Sequence, residues 1–381
     1  MKILAGMPWR LDFQFTGLAK VTLEFFEELA RQGGQVRLFC AGPRMTRGGF
    51  SSYPINMPAI SNGGVWSPLL NSVAFSSRFS EKVERLEHDV LHCFNTTTMF
   101  LSKRPYLFQT LNPTYAYVSE VLEEEYPKEP QFDRLLQYYA AVAQLERTEY
   151  QHAQVIVTRS PTVKENIAKY YEVEPELIHV IPHGWPQTEI AAAAPRKRGK
   201  MKMILFSGTV RIMKGFTYLI DAMETVAREV PDVVLVVAGR VYPQEISIIM
   251  RKIKASPVSS KVVLAGFLPR ERYQSYLEMA DVGCIPSMAA DPSLSILEYV
   301  AHGIPVVTTP LAGLQDINRV GIEIPPRDAE ATANALIEAL TNPDVRGKAA
   351  RNAPQVLRRH NWAGIVRDFM KLYEEVQDSH L

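Results

Sequence analysis

The sequence alternates short apolar runs with amphipathic stretches, and this alternation most narrows the folds open to the chain. In the first half the strand-like runs are MKILAG, QVRLFC, DVLHCF, PYLFQTL and QVIVTR, with helical patterns over 18–32 and 132–152. In the second half the rhythm restarts with MILFSG, VVLVVAG, KVVLAG, DVGCIP and IPVVTT. Short apolar strands separated by helices favour a parallel, doubly wound sheet, so we predict an α/β fold built from two such domains.

One stretch interrupts the alternation and indicates where the domains divide. Residues 190–202, IAAAAPRKRGKMK, combine alanines, a proline and basic residues, a composition typical of a linker. We therefore predict an N-terminal domain over 1–188, a linker over 189–202 and a C-terminal domain over 203–358, with a cleft between the domains. The final segment, 359–381, is predicted to contain an amphipathic helix that packs back on the N-terminal domain.

Composition and charge argue against several classes of protein. A chain of 381 residues with 46% hydrophobic residues can form two cores, and a net charge of +1 gives no basis for a nucleic-acid partner. Cys40, Cys93 and Cys284 lie in or beside apolar runs without CxxC spacing, so we expect buried, reduced thiols in a cytoplasmic protein. No apolar run approaches the roughly 18–20 residues that cross a bilayer, so we expect no transmembrane segment.

The stretch over 287–309, SMAADPSLSILEYVAHGIPVVTT, gathers polar groups after a strand-like run. A loop of small polar residues leads to an apolar helix, and the pattern places Glu298 at the start of that helix. Ligands bind at this edge of open α/β sheets because loops converge there and helix N-termini present unpaired N–H groups. Glu298 can accept two hydrogen bonds from a ribose diol, and a glutamate that only complements the helix dipole is an equally good interpretation.

Three other strand ends carry candidate ligand-binding groups. SGTVRIMKG ends a strand at Gly208 and opens a helix, which places Arg211 and Lys214 where a diphosphate is favoured. Two cations that only solvate a loop are the alternative. Gly239 ends the run VVLVVAG and either permits close backbone approach or is a plain turn glycine. Backbone groups around Phe267 could border a flat base.

These segments together resemble the large retaining glycosyltransferase family numbered four (glycosyl transferases group 1), whose members use nucleotide sugars. The matching segments follow the family's order and cover most of the second domain and part of the first. They are FTGLAKVTLEFFEELARQG (15–33), IPHGWP (181–186), ILFSGTVRIMKGFTYLIDAM (204–223), VVLAGFLPRERYQSYLEMADVGCIPS (262–287), LEYVAHGIPVVTTPLAG (297–313) and IPPRDAEATANALIEAL (324–340).

The resemblance implies the GT-B architecture, in which two Rossmann-like domains enclose a cleft, and it implies which residues bind the donor. Arg211 and Lys214 would neutralise the diphosphate, and Glu298 would hold the ribose. With the strand-end residues above, the predicted donor-binding set is Gly17, Gly208, Thr209, Arg211, Lys214, Gly239, Phe267, Leu294, Ser295 and Glu298.

The resemblance also implies how the leaving group is handled. Gly17 would face the diphosphate from the first domain, and Leu294 and Ser295 would contact its phosphates. No D-x-D sequence occurs in the chain, so we expect no metal and no cofactor, with the nucleotide sugar as a substrate. Cationic side chains and a helix terminus would stabilise the leaving group instead. In retaining members the departing phosphate helps to deprotonate the acceptor on the same face of the sugar.

Three positions depart from the family's pattern. The family has two glutamates with seven residues between them, and the position eight before Glu298 is Ala290, next to Asp291. Either Asp291 substitutes through a shifted loop or the first acidic role is absent. The family's histidine after the fourth strand is Asn112, which can hydrogen-bond a sugar hydroxyl but cannot take a proton. Thr209 replaces the family's arginine, which leaves the arginine two residues later as the substitute. The predicted catalytic set is Asn112, Asp291 and Glu298.

The predicted function is a retaining, metal-independent transfer of a sugar from a nucleotide-diphosphate donor. The acceptor stays open among a saccharide, a lipid-linked glycan and a small molecule, and peripheral contact with the inner membrane face is an alternative to a purely cytoplasmic location. Two other functions remain open. One is a catalytically degenerate GT-B binding subunit, and the other is a nucleotide-sugar epimerase, which shares the architecture.

Overall fold

The chain divides into two units by the contacts among its residues. The computed structural model describes residues 1–12, 17–57, 60–61, 64–101, 106–111, 113–186, 201–289 and 292–378. The first unit comprises Met1–Glu120, Lys128–Gly184 and His360–Leu381, and the second comprises Val121–Pro127 and Trp185–Arg359. Most of the predicted linker falls on 187–200, outside the described residues, so the domain boundaries stay a prediction.

In the first unit, strands and helices alternate as the apolar runs predict. The described strands are β1 (Lys2–Met7), β2 (Gln35–Cys40), β3 (Met45–Arg47), β4 (Phe50–Pro54), β5 (Val90–Phe94), β6 (Leu107–Gln109), β7 (Val155–Thr158) and β8 (Ile178–Val180). The helices along this part of the chain are α1 (Gly17–Arg31), α2 (Ser67–Arg85), α3 (Tyr115–Glu125), α4 (Pro130–His152) and α5 (Pro161–Tyr171). Helix α3 runs from the first unit into the segment that groups with the second.

The strands of the first unit form one mainly parallel sheet. Their order is β3-β4-β2-β1-β5-β6-β7-β8, and among these described strands only β3 and β4 are antiparallel to each other. Strand β5 is buried at every position. That burial is typical of a parallel sheet with helices on both faces.

The second unit repeats this architecture with a smaller sheet. Its strands are β9 (Lys202–Ser207), β10 (Val233–Ala238), β11 (Val262–Gly266), β12 (Val282–Ile285), β13 (Val306–Thr308) and β14 (Gly321–Glu323). Its helices are α6 (Phe216–Glu229), α7 (Ile246–Ala255), α8 (Arg270–Met279), α9 (Leu294–Ala301), α10 (Ile317–Val320), α11 (Ala329–Thr341) and α12 (Pro343–Arg358). The described strands are all parallel, in the order β11-β10-β9-β12-β13-β14.

The C-terminal helix, α13 (Trp362–Asp378), belongs to the first unit and packs against α1. The rings of Phe25 and Phe369 meet edge to face with centroids 4.7 Å apart. The Trp362 indole donates a hydrogen bond of 3.0 Å to Glu24. Buried Phe369, Leu372 and neighbouring apolar residues join the core of this unit, so this helix is fixed by both packing and hydrogen bonding.

The position of Glu298 corrects one prediction about local structure. The sequence pattern placed this residue at the start of its helix, but α9 begins at Leu294, so Glu298 lies in the second turn. The helix begins at Leu294 because Ser293, the residue before it, takes the extended conformation of an N-cap. Its carboxylate therefore lies too far from the N-terminus to serve chiefly as a partner for the helix dipole.

Two further expectations concern cysteines and membrane spans. Cys40, Cys93 and Cys284 are buried and unbridged, which confirms the prediction of buried thiols. Among the described residues, no helix combines the length and the apolar character that a bilayer crossing requires.

Two glutamates on α4 are buried inside the first unit and hold the loop that follows β5. Glu149 accepts hydrogen bonds from the Thr96 N–H at 2.8 Å and from the Thr98 N–H at 3.1 Å and hydroxyl at 2.8 Å. Glu146 accepts from Asn95, from the Tyr115 N–H and from the Tyr171 hydroxyl. Burial raises the pKa of Glu146 to about 8 and that of Glu149 to about 7. These hydrogen bonds partly offset the cost of burial.

We expect the contribution of Glu146 to the protein's stability to fall as the pH rises from about 4.5 to 8. The folded pKa of Glu146 is raised above its usual value of 4.5, so in this window the folded protein keeps a proton that the unfolded chain has released. The free energy of unfolding then declines by up to about 1.4 kcal/mol per pH unit for this group. Glu146→Gln should remove this part of the pH dependence of the free energy of unfolding. Glu149, whose pKa is also raised, should retain its own part.

Thermal midpoints of the wild type and Glu146→Gln at pH 5, 6, 7 and 8 measure this effect. Glu165→Gln, an exposed change on α5, is the control and should keep the wild-type slope. Equal slopes in all three proteins would contradict the assignment of a raised pKa to Glu146.

Candidate functional site

The candidate site lies in the second unit, where the carboxyl ends of parallel strands meet at one edge of the sheet. Strand β9 is hydrogen-bonded to β10 on one side and to β12 on the other. The loops after these three strands and the start of α9 carry most of the predicted donor-binding residues. The sheet thus brings together residues that are up to about 90 positions apart in the sequence.

Glycines let two of these loops touch backbone to backbone. A side chain at Gly239 would collide with the carbonyl oxygen of Gly208, so the loops after β9 and β10 can approach only because position 239 lacks a Cβ. Gly208 has a φ of 114°, and the place of its absent Cβ lies 3.7 Å from the Ser295 hydroxyl oxygen. The predicted residues Gly208, Gly239 and Ser295 therefore lie side by side.

Lys214 is the last residue of a 3₁₀ turn, Ile212–Lys214, that follows β9. The N–H groups of Met288 and Ala289 both donate to the Met213 carbonyl, at 2.9 and 3.3 Å. This pairing fixes the turn against the loop after β12, two residues before Asp291 in the sequence. Asp291 itself and Ala290 lie outside the described residues.

Arg211 is anchored within the unit by a buried carboxylate. Its guanidinium lies 3.6 Å from a carboxylate oxygen of Glu245 and 4.2 Å from the ring centroid of Tyr242. Glu245 is fully buried and also accepts hydrogen bonds from the Ile212 N–H at 2.6 Å and the Tyr126 hydroxyl at 2.7 Å. The charge of Arg211 is thus partly balanced by the protein itself. Sequence reasoning missed Glu245, since nothing in the pattern relates it to this turn.

Glu298 is held by a tyrosine from a different helix. The Tyr273 hydroxyl on α8 donates a 2.7 Å hydrogen bond to the Glu298 carboxylate and lies 3.0 Å from the Ser207 hydroxyl oxygen. Burial and the neighbouring carboxylate raise the pKa of Tyr273 well above its usual value, so this hydroxyl stays protonated and remains a donor. Sequence reasoning missed Tyr273 as well.

An exposed aromatic and a guanidinium lie after the next two strand ends. The Arg240 guanidinium lies 4.9 Å from the ring centroid of Phe267, and Phe267 is 47% exposed. These residues directly follow Gly239 and Gly266, so a flat ring stands beside the loops of the candidate site. A planar base could stack on such a surface.

The remaining predicted residues are placed as follows. Leu294 is half-buried and opens α9, and Thr209 is exposed directly after Gly208. Gly17 is the exposed first residue of α1 in the first unit. Asn112 lies outside the described residues. Within the described part of the chain, no group of three or more His, Cys, Asp or Glu side chains is arranged to hold a metal ion.

Comparisons with protein families identify related sequences over nearly the whole chain. A model described as glycosyl transferases group 1 matches residues 187–356, and one described as glycosyltransferase family 4 matches residues 15–186. An uncharacterized glycosyltransferase of Methanocaldococcus jannaschii is 25% identical over 76% of this chain and 75% of its own length. Phosphatidyl-myo-inositol mannosyltransferase of Mycobacterium leprae is 26% identical over 52% of this chain, and the match spans only 54% of that relative.

Solved structures match the fold across both units. Sucrose-phosphate synthase from Thermosynechococcus elongatus aligns over the full length of both chains with a TM-score of 0.77 and 18% identity. WaaG, a glycosyltransferase involved in lipopolysaccharide biosynthesis, covers 97% of this chain and 99% of its own, with a TM-score of 0.72 and 19% identity. Anabaena HepE in complex with UDP-glucose covers 98% and 100%, with a TM-score of 0.68 and 15% identity. The predicted GT-B fold is confirmed.

We expect Gly239→Ala to destabilise the second unit. The new methyl group would collide with the Gly208 carbonyl and force the loops after β9 and β10 apart, at a cost of about 1–3 kcal/mol. Gly347→Ala is the matched control, because its Cβ would meet only the flexible end of Arg351 and alanine favours the interior of α12. Thermal unfolding of both variants tests this; a Gly239→Ala midpoint at or above that of the control would contradict the close approach.

Proposed function

The chain belongs to the glycosyl transferases of group 1, of the family-four type, and from this premise we propose that it transfers a sugar from a nucleotide-diphosphate donor with retention at the anomeric carbon. The observation that best supports a donor site is the position of Glu298. Its carboxylate is fixed by Tyr273 in a helix whose first residues, Leu294 and Ser295, adjoin the glycine loop after β9. A carboxylate and a helix N-terminus in one place suit a ribose diol followed by a diphosphate.

Lys214 is proposed as the principal cation for the diphosphate. The turn that ends at Lys214 is hydrogen-bonded to the loop after β12 through the Met213 carbonyl. Arg211 contacts the buried carboxylate of Glu245, which also accepts the Ile212 N–H of this turn. A cation and oriented N–H groups stabilise the charge that develops as the diphosphate departs. We accordingly assign Arg211 chiefly to the shape of the turn and Lys214 to the leaving group, in a metal-independent reaction.

The proposed reaction replaces one bond at the anomeric carbon by another on the same face. The bond to the diphosphate oxygen breaks, the bond to the acceptor oxygen forms, and the acceptor's proton passes to the departing diphosphate. Asn112 and Asp291 would contact the donor sugar. Since Asn112 has no basic group, it would orient a hydroxyl rather than remove a proton.

For the donor base and the acceptor, we propose classes of molecule rather than single compounds. HepE was solved with UDP-glucose, which favours uridine nucleotides as the first donors to examine. The Mycobacterium leprae relative is named for a phosphatidyl-inositol acceptor, so lipid-linked acceptors join saccharides and small molecules as candidates. We propose a cytoplasmic location, with peripheral membrane contact if the acceptor is a lipid.

A second candidate function follows from two sequence positions. Asn112 and Ala290 stand where the family has a histidine and a glutamate, which favours a catalytically degenerate subunit that binds a nucleotide without turning it over. A nucleotide-sugar epimerase is the third alternative. It would act without an acceptor and return a changed nucleotide sugar.

We expect Lys214→Ala and Glu298→Gln each to weaken nucleoside-diphosphate binding about 10- to 100-fold, because each loses a charged partner worth about 1.5–3 kcal/mol. Thermal-shift titrations with UDP, GDP and ADP, with EDTA and then with magnesium, measure the affinities. Lys252→Ala, which breaks only an ion pair with Asp221 on the surface of the same unit, is the control and should bind like wild type. Unchanged affinity in both site variants would refute the assignment.

Product analysis separates the three functions. With the best-binding nucleotide as its sugar conjugate and a mixture of acceptors, we expect EDTA-resistant transfer and a product with the donor's anomeric configuration, assigned by NMR. Inverted configuration would overturn the retaining mechanism. A changed nucleotide sugar formed without acceptor would indicate an epimerase, and binding without turnover would indicate the degenerate subunit.

A further inference from the structure

A chain of three hydroxyl groups extends from the carboxylate of Glu298 to buried residues of the second unit. Tyr273 from α8 contacts Glu298, Ser207 at the end of β9 contacts Tyr273, and Tyr299 from α9 contacts Ser207. The successive oxygen separations are 2.7, 3.0 and 2.7 Å. The Tyr299 hydroxyl donates to the Leu205 carbonyl at 3.1 Å, so it accepts from Ser207.

The hydroxyl hydrogen of Tyr273 is donated to Glu298 rather than to Ser207. A carboxylate only accepts, and the Tyr273 hydroxyl has a single hydrogen, so that hydrogen goes to the stronger acceptor, the carboxylate. Ser207 and Tyr299 are buried at 2% and 0% exposure, which shields their hydroxyls from competing water. The Tyr273 oxygen thus contacts the buried Ser207 hydroxyl while its hydrogen is donated to Glu298.

A glutamate side chain on a helix rotates about three bonds, and a second anchor removes that freedom. Orienting a carboxylate before the ligand arrives spares the entropy otherwise lost on binding. Tyr273 supplies such an anchor, since its own position is set by the buried serine and by α8. None of this network appears in a motif, because its members come from β9, α8 and α9.

We propose that Tyr273 is a positioning residue of the donor site, which holds the Glu298 carboxylate in the orientation that receives the ribose diol and so gives the site its preference for ribonucleotides. This inference rests on the proposed function, in which Glu298 binds the ribose. Its consequence is specific: loss of the tyrosine hydroxyl should weaken ligands that carry a diol and leave ligands without one unaffected.

The test compares nucleoside diphosphates with their 2′,3′-dideoxy analogues. UDP, GDP and ADP and the three analogues are titrated calorimetrically into wild type, Tyr273→Phe, Tyr276→Phe and Glu298→Gln. For the base that binds, Tyr273→Phe should lower ribonucleotide affinity about tenfold, as loss of a hydrogen bond to a charged group does, with dideoxy affinity unchanged. Tyr276→Phe removes a hydroxyl from the same helix and should match wild type in both titrations.

The outcomes separate this inference from the proposed function. If Glu298→Gln abolishes the preference for the ribonucleotide while Tyr273→Phe retains it, Tyr273 does not position the carboxylate and the donor site still stands. If Glu298→Gln also retains the preference, or no nucleotide binds, the donor site itself fails and this inference fails with it. A Tyr273→Phe variant that weakens both ligands equally has a structural defect, which overturns a positioning role.

Discussion

The parallel order of the second sheet is the constraint on which the candidate site depends. Strand β9 lies between β10 and β12, so the chain proceeds outward to β10 and β11 and then returns to the other side of β9. At such a reversal the loops that leave two neighbouring strands diverge and open a crevice at their carboxyl ends. Gly208 follows one of these strands, and the loop before α9 follows the other. The location of the site is therefore a consequence of strand order before any side chain is considered.

The structure shows contacts of Arg211 that sequence pattern alone does not predict. Arg211 and Lys214 are three residues apart, and sequence pattern alone assigns both to a diphosphate. The structure gives Arg211 a buried carboxylate, Glu245, and an aromatic ring, Tyr242. An arginine held in this way shapes the loop through several contacts at once, which its planar group is suited to do. Lys214 is the last residue of the turn that follows Arg211.

Sequence reasoning predicted the repeated α/β pattern and the GT-B fold, and it proposed the strand ends at which a donor would bind. The fold could be predicted because apolar runs and the glycines that end them are local signals in the sequence. Sequence reasoning placed Glu298 one turn too early relative to its helix, since helix boundaries depend on caps that a pattern resolves only within a few residues. It missed Tyr273 and Glu245 because both act on partners 25 or more residues away. Only the packed structure brings such pairs into contact.

In each of the two units, a buried glutamate fixes the loop that follows a strand. In the first, Glu149 accepts N–H groups of Thr96 and Thr98, and in the second, Glu245 accepts that of Ile212. A buried carboxylate is costly, so it is retained where several donors converge and where its removal would leave those donors unpaired. Loops at the carboxyl ends of strands cannot satisfy their N–H groups through the sheet. An acid contributed by a nearby helix or turn supplies the missing acceptor, and in both units the acid is contributed by a segment that follows the strand in the sequence. Rigid loops at this edge are what a ligand site needs, because a backbone already ordered need not be ordered again on binding.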